Sequence, residues 1–269
     1  MRASDIQSFD PIRFGAYICL TIPGESQATL ADADVPALAE RLGLRNEYDS
    51  AGVDFSPQSI AYLRRVSAGP GQISDDGLLG AEAIVHVAAM KQELVTEFRA
   101  ELARMLGPAV TPRVLAGGLR PGAYTGLAMV NFAYAERVLQ QPGQVMPNAF
   151  LVPMSKTAGW WKKDWMERHT YFLPRYDDEG AMRSQGHALA AQAGIACLLR
   201  RTYKPLAESA ADGEYDFVNY FECADADVPV FHDVCDALRD TARNPEWAFV
   251  REGPTWHGRR TATWADLFS

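Results

Sequence analysis

The chain contains no run of about 18 apolar residues, so no segment is built to cross a bilayer as a helix. It also lacks a surplus of positive charge. Lys and Arg number 26 against 34 Asp and Glu, for a net charge of −8. No excess of basic side chains is left for the phosphates of a nucleic acid, although a local basic pocket for a small anion is still allowed. Cysteine is scarce: Cys19, Cys197, Cys223 and Cys235 form no C-x-x-C pair and no zinc-ligand spacing. Three of the four sit in apolar patterns, which suits buried reduced thiols and a cytoplasmic setting. The opening MRASDIQSFDPIRFG lacks the apolar stretch of a secretory signal. No G-x-x-x-x-G-K-[ST], no G-x-G-x-x-G after a strand, no H-E-x-x-H and no G-x-S-x-G occurs. Readings as a nucleotide-binding protein, a zinc protease or an esterase lose their support accordingly.

What is present suffices for a folded core. Hydrophobic residues make up 48% and charged residues 22% of 269 positions, enough for one large domain or two ordinary ones. The second half reads clearly. Residues 148–153, NAFLVP, suit a buried strand. Residues 177–190 read as a helix opened by Asp177 and Asp178. Residues 194–204 and 215–222 read as strands. Asp227 and Pro229 open a helix whose apolar face is Val228, Phe231, Val234, Cys235, Leu238 and Ala242. Residues 247–251 make the last strand. The order is βαββαβ, the ferredoxin-like arrangement. In the first half, residues 14–21, 112–118 and 126–134 read as strands, 35–43 as a helix and 67–78 as a loop. Residues 80–106 read as one long helix or two abutting ones. An α+β fold follows, with a degenerate unit over 1–135, a linker over 136–147 and a second unit over 148–269.

Among the five histidines, His187 stands apart. It lies in SQGHALAAQAGIACLLRR, residues 184–201, beside small residues and just before a buried strand. Small neighbours leave room for a flat group against an imidazole, and an axial histidine also needs an acceptor for its second ring nitrogen. A histidine answering the C-terminal dipole of a helix fits the spacing too. His86 falls in an apolar stripe and reads as core. Arg200 and Arg201, on opposite faces of a strand, follow an apolar run, where an arginine needs a partner. A carboxylate, a cofactor carboxylate or a bound anion would each serve, as would a strand-end salt bridge. Trp160 and Trp161 offer flat apolar surface beside Lys156, for a cofactor pocket or for an ordinary core.

The order PMSK…GWW…H…LLRRTY…GEYDFVNYFE…FVREGPT, over residues 148–258, resembles the chlorite dismutase family. That group binds haem on ferredoxin-like domains and includes the coproheme decarboxylases. The resemblance implies two such units in one chain and a b-type haem with its iron held by His187. It also implies proximal roles for Lys156 and Glu246, tryptophans Trp160 and Trp161 near the haem, and a distal, catalytic Arg200. The implied activity is oxidation-reduction of a small oxyanion, chlorite giving chloride and dioxygen, in a homo-oligomer such as the pentameric ring of the family's long-chain branch. Two departures stand out. Val152 occupies the place where one group of coproheme decarboxylases carries a catalytic tyrosine, and the stretch between Trp161 and His187 is longer. Peroxidase-like or biosynthetic chemistry on the same scaffold, a non-catalytic haem protein and a plain α+β binding module remain alternatives.

Overall fold

The run RFGAYICL forms strand β1 (Arg13–Leu20). Ala16, Ile18 and Leu20 enter one apolar cluster, while Tyr17 and Cys19 enter another. Strand side chains alternate between faces, so an unbroken apolar run requires a packed layer on each side. The computed structural model describes residues 13–22, 27–46, 58–68, 78–107, 113–119, 146–204 and 215–269. After β1 come helices α1 (Gln27–Ala31) and α2 (Val35–Arg41), then strands β2 (Arg45–Asn46), β3 (Gln58–Ala68) and β4 (Ala83–Ala89). Helix α3 (Gln92–Leu106) and strand β5 (Arg113–Leu119) complete the first half.

The second half opens with β6 (Asn148–Lys156), α4 (Ala158–Trp161) and α5 (Trp165–Thr170). A small hairpin follows, β7 (Arg175–Tyr176) and β8 (Met182–Ser184), and then α6 (Gly186–Ala190). Strands β9 (Leu199–Lys204) and β10 (Phe217–Cys223), helix α7 (Val228–Arg239), strand β11 (Val250–Glu252) and strand β12 (Trp256–Thr261) complete it.

In the first half the strands lie in the order β5-β1-β4-β3, and in the second β9-β10-β6-β11. Read from opposite ends, both orders are fourth, first, third, second of a βαββαβ unit, so each half is ferredoxin-like. The two halves share one sheet. β5 pairs with β9, and β12 bridges β3 to β6. Together with β6–β10 pairing, the described strands β1, β3, β4, β5, β9, β10, β6 and β12 close into a ring. Helices α1, α2 and α3 and the last residues cover the outside of the first half, and α7 covers the second. No described helix is long and apolar enough to cross a membrane. All four cysteines are free thiols, Cys19 and Cys223 buried.

Several expectations need correction. Residues 83–89, AIVHVAA, are a strand buried at every position, and only Gln92–Leu106 is helical. An apolar run has no polar period by which to tell helix from strand, and the slot between β1 and β3 decides the matter. Residues 177–190 form a hairpin and a single helical turn. The Asp177 carboxylate accepts from the backbone of Glu179 and Ala181, closing a tight turn instead of capping a helix. In 194–204 only Leu199–Lys204 is strand, and in 247–251 the strand begins at Val250 after a 3-10 turn, Pro245–Phe249. The tail 256–261 is strand β12, whose inward Trp256, Gly258 and Arg260 are buried. Residues 126–134, residues 69–77 of the expected loop and residues 136–145 of the expected linker lie outside the described residues.

His86 is a core residue, as expected, but from inside the ring. Its imidazole stacks on Tyr17 with centroids 4.5 Å apart, and its Nε2 lies 3.1 Å from the Tyr203 hydroxyl. Burial, reinforced by the Arg260 charge, pulls its pKa down to about 3. The folded state therefore binds fewer protons than the unfolded one between about pH 6.5 and 3. Stability from this group is complete above the unfolded pKa and falls as pH drops, by up to ~1.4 kcal/mol per pH unit. Urea midpoints taken from pH 7 to pH 4 should decline more steeply in the native chain than in His86→Gln. Parallel curves for the two would show that His86 carries none of the acid sensitivity.

Candidate functional site

Strand β6 is buried along its whole length and ends in Lys156. Its ammonium is therefore delivered into the interior, where a lone charge is costly. The next turn, α4, folds Trp160 back over it, with Nζ 4.4 Å from the ring centroid. Trp160 is fully buried and packs with Phe172 and Ala188. Tyr171 and Phe249 complete the aromatic wall, their centroids 5.5 and 5.8 Å from Trp160.

His187 is placed by backbone geometry. Gly186 has φ +67, and a Cβ built there would lie 2.4 Å from the carbonyl oxygen of Leu173. Only glycine fits both the left-handed backbone and the contact. The turn is pinned from two sides. The N–H groups of Gln185 and Gly186 donate to the Arg243 carbonyl at 2.9 and 3.0 Å, and those of His187 and Ala188 donate to Tyr171 and Phe172 at 3.2 and 3.0 Å. His187 thus stands in a five-residue helix whose first and last turns overlap. Opposite it, Pro245–Phe249 turns Glu246 inward, where its side chain is 4% exposed.

These elements bring three charged or titratable groups together. The Glu246 carboxylate accepts from His187 Nδ1 at 2.7 Å on Oε2, and from Lys156 Nζ on Oε1. Burial pushes the Glu246 carboxyl up, but the charges and hydrogen bonds of His187 and Lys156 outweigh it and hold the group at about 2. Burial pulls the Lys156 ammonium down, an effect opposed by Glu246 and reinforced by Arg200. With Nδ1 committed to Glu246, His187 Nε2 makes no hydrogen bond to any described residue, and the side chain is 14% exposed. The imidazole is therefore held in one orientation, with one nitrogen backed by a carboxylate and the other directed outward.

Arg200 reaches the same region from β9. Its Nη2 donates to Asn219 Oδ1 at 3.1 Å, and Thr202 donates to the same oxygen at 2.8 Å. The amide nitrogen of Asn219 lies 3.3 Å from Met154 Sδ on β6. Asn219 was not singled out from the sequence. Its only signal there is a polar residue between Val218 and Tyr220 in a strand that is apolar on both faces. Trp161, unlike Trp160, is 44% exposed and lies beneath the Arg168 guanidinium. Apart from Val66, the large apolar side chains exposed among the described residues all fall between Trp161 and Met182. Thus Lys156, Trp160, His187 and Glu246 form one contiguous group, Arg200 adjoins it, and Trp161 turns to the surface.

Fold and site together define an α+β protein of chlorite dismutase-like architecture, with a carboxylate-backed histidine in its second ferredoxin-like half. The chain is similar to chlorite dismutase from Candidatus Nitrospira defluvii, solved in complex with imidazole, with a TM-score of 0.65 and 20% identity over 95% of this chain and 93% of that one. An arginine-to-lysine variant of the same protein aligns with a TM-score of 0.66 and 18% identity over 99% and 98% of the two chains. A tryptophan-to-phenylalanine variant in complex with cyanide gives 0.65 and 19% over 95% and 93%. No protein-family model matches the sequence, and no curated relative does.

Proposed function

We infer that the chain is a haem-dependent oxidoreductase, and that its reaction is the conversion of chlorite to chloride and dioxygen. The observation that carries this reading is the Glu246 carboxylate shared by His187 and Lys156, with the second imidazole nitrogen left without a partner among the described residues. That donor set fits a haem. A neutral imidazole whose N–H is given to a carboxylate is a strengthened ligand of fixed tautomer. His187 would hold the iron through Nε2, with b-type haem favoured. When bound, the haem supplies a redox-active metal centre at which oxygen atoms can be exchanged.

The chain's own residues do the rest. Glu246 retains its charge and keeps the proton on His187 Nδ1. Lys156 balances that charge in a buried setting. Trp160, Phe172 and Phe249 exclude water from behind the histidine. Arg200, oriented by Asn219, would offer its guanidinium to a small oxyanion through charge-assisted hydrogen bonds. The position of Val152, buried in β6, argues against propionate decarboxylation through a tyrosine at that place. A second reading, hydrogen-peroxide oxidation of phenols at the same site, draws on the exposed Trp161, Trp165 and Tyr176 in the stretch leading to His187.

Haem titration tests both layers. A one-to-one Soret band should form and be lost or shifted in His187→Ala, and an oxygen electrode should register gas when chlorite is added to the loaded protein. Haem uptake without oxygen release, joined to steady turnover of a phenolic reporter with peroxide, would transfer the function to the second reading. Failure of the native chain to take up haem would remove both.

A further inference from the structure

A second site lies in the other half of the molecule. Helix α2 ends in a left-handed turn at Gly43, φ +67, where the N–H of Leu44 returns to the Ala39 carbonyl at 2.8 Å and that of Gly43 to Glu40 at 2.9 Å. This closure sends the chain back along the sheet as β2, parallel to β3. Asn46 then ties it to the C-terminal segment by donating to the Ala262 carbonyl at 2.7 Å. Trp264, from that segment, is itself fixed by its indole N–H on the Leu30 carbonyl at 2.7 Å. Between these walls is a cavity of about 500 Å³, floored by Ile60 and Tyr62 of β3. Volumes of this order are typical of small-molecule sites.

The polar groups of the cavity point to its occupant. Tyr62 is 3% exposed, yet its hydroxyl has no hydrogen-bond partner among the described residues. Burial alone pushes its pKa up to about 12, so the hydroxyl keeps its proton and can donate to a ligand. The hydroxyl belongs to a ring that lines the cavity and packs edge-on to Trp264, centroids 5.9 Å apart. Arg45 brings a guanidinium to the same lining and makes no ion pair with a described residue; Glu40, on the α2 wall, makes none either. One cation beside one anion limits a ligand to a single negative charge placed on the Arg45 side. Leu44, Ile60 and the two aromatic rings supply an apolar slot for a flat body.

We propose that this cavity binds a small aromatic monocarboxylate, its ring between α2 and Trp264, its carboxylate accepting from the Tyr62 hydroxyl and facing Arg45. The site is separate from His187 and independent of the haem reading.

Calorimetry with 2-naphthoate on the full chain tests it. Saturable one-to-one binding is expected, weakened at least fivefold in Arg45→Ala and several-fold in Tyr62→Phe, and lost in Ala39→Phe, which fills the slot. Tyr62→Phe should melt no lower than the native chain, since the hydroxyl it removes has no partner among the described residues. That variant keeps the test open if Ala39→Phe fails to fold. The neutral 2-naphthamide should bind less tightly to the native chain and be indifferent to Arg45→Ala. His187→Ala should bind 2-naphthoate like the native chain. Absence of saturable binding, equal affinity in Tyr62→Phe, or loss of binding in His187→Ala would each overturn the assignment.

Discussion

Glu246→Ala is expected to cost about 3–5 kcal/mol of stability, because it strands the Lys156 ammonium in the interior without its counter-charge. The same substitution should weaken haem retention by roughly 10–100-fold, because the imidazole loses the acceptor that fixes its tautomer. The two effects arise at different oxygens and can be separated. Oε1 serves Lys156 and Oε2 serves His187. Adding Lys156→Met to Glu246→Gln removes the buried cation along with the buried anion, and such exchanges are often close to neutral for stability. The double variant should therefore regain most of its urea midpoint. It should not regain haem affinity, since a glutamine amide is a weaker acceptor for the Nδ1 proton than a carboxylate. A double variant that binds haem as the native chain does would mean that Glu246 exists to neutralise Lys156 and does nothing for the histidine.

This separation explains why the site was only partly legible in the sequence. Lys156, His187 and Glu246 come from a strand end, a one-turn helix and a 3-10 turn, and no local periodicity links them. Nothing in NPEWAF distinguishes a buried Glu246 from an exposed acid; the family resemblance supplied it, and the fold shows the contact. His187 was read inside a helix because AMRSQGHALAA is rich in helix formers. The left-handed backbone at Gly186 and the pinning of Gln185 and Gly186 to the Arg243 carbonyl shorten that helix to Gly186–Ala190, which still holds His187. The second βαββαβ unit was legible because α7 carries a clean apolar face and the flanking strands are aromatic and β-branched. In the first half, β4 was hidden because a single buried histidine, His86, is the one polar residue of AIVHVAA and sets no period, and β3 was not recognised: its QSIAYLRRVSA mixes an interior half with a charged end.

Arg200→Ala is expected to lower oxygen release from chlorite by about 10²–10³-fold, the usual consequence of removing one preorganised donor from an anion. The loss should appear with the haem spectrum unchanged. Asn219 Oδ1 keeps its hydrogen bond from Thr202 when the guanidinium is removed, so the amide is not orphaned and the β9–β10 pairing survives. The melting curve should accordingly move little. Arg200→Lys keeps the charge but loses the planar fork, so it should fall between the two. Asn219→Asp gives the complementary test. An aspartate there would pair with Arg200 and hold its charge for the protein, which lowers its attraction for an external anion while leaving every atom of the arginine in place. Reduced turnover in Asn219→Asp, expressed mainly as a raised KM, would identify anion capture as the function of Arg200. Turnover within twofold of the native value in Arg200→Ala would assign the anion to a different donor. The His187–Glu246 pair would then have to act without Arg200.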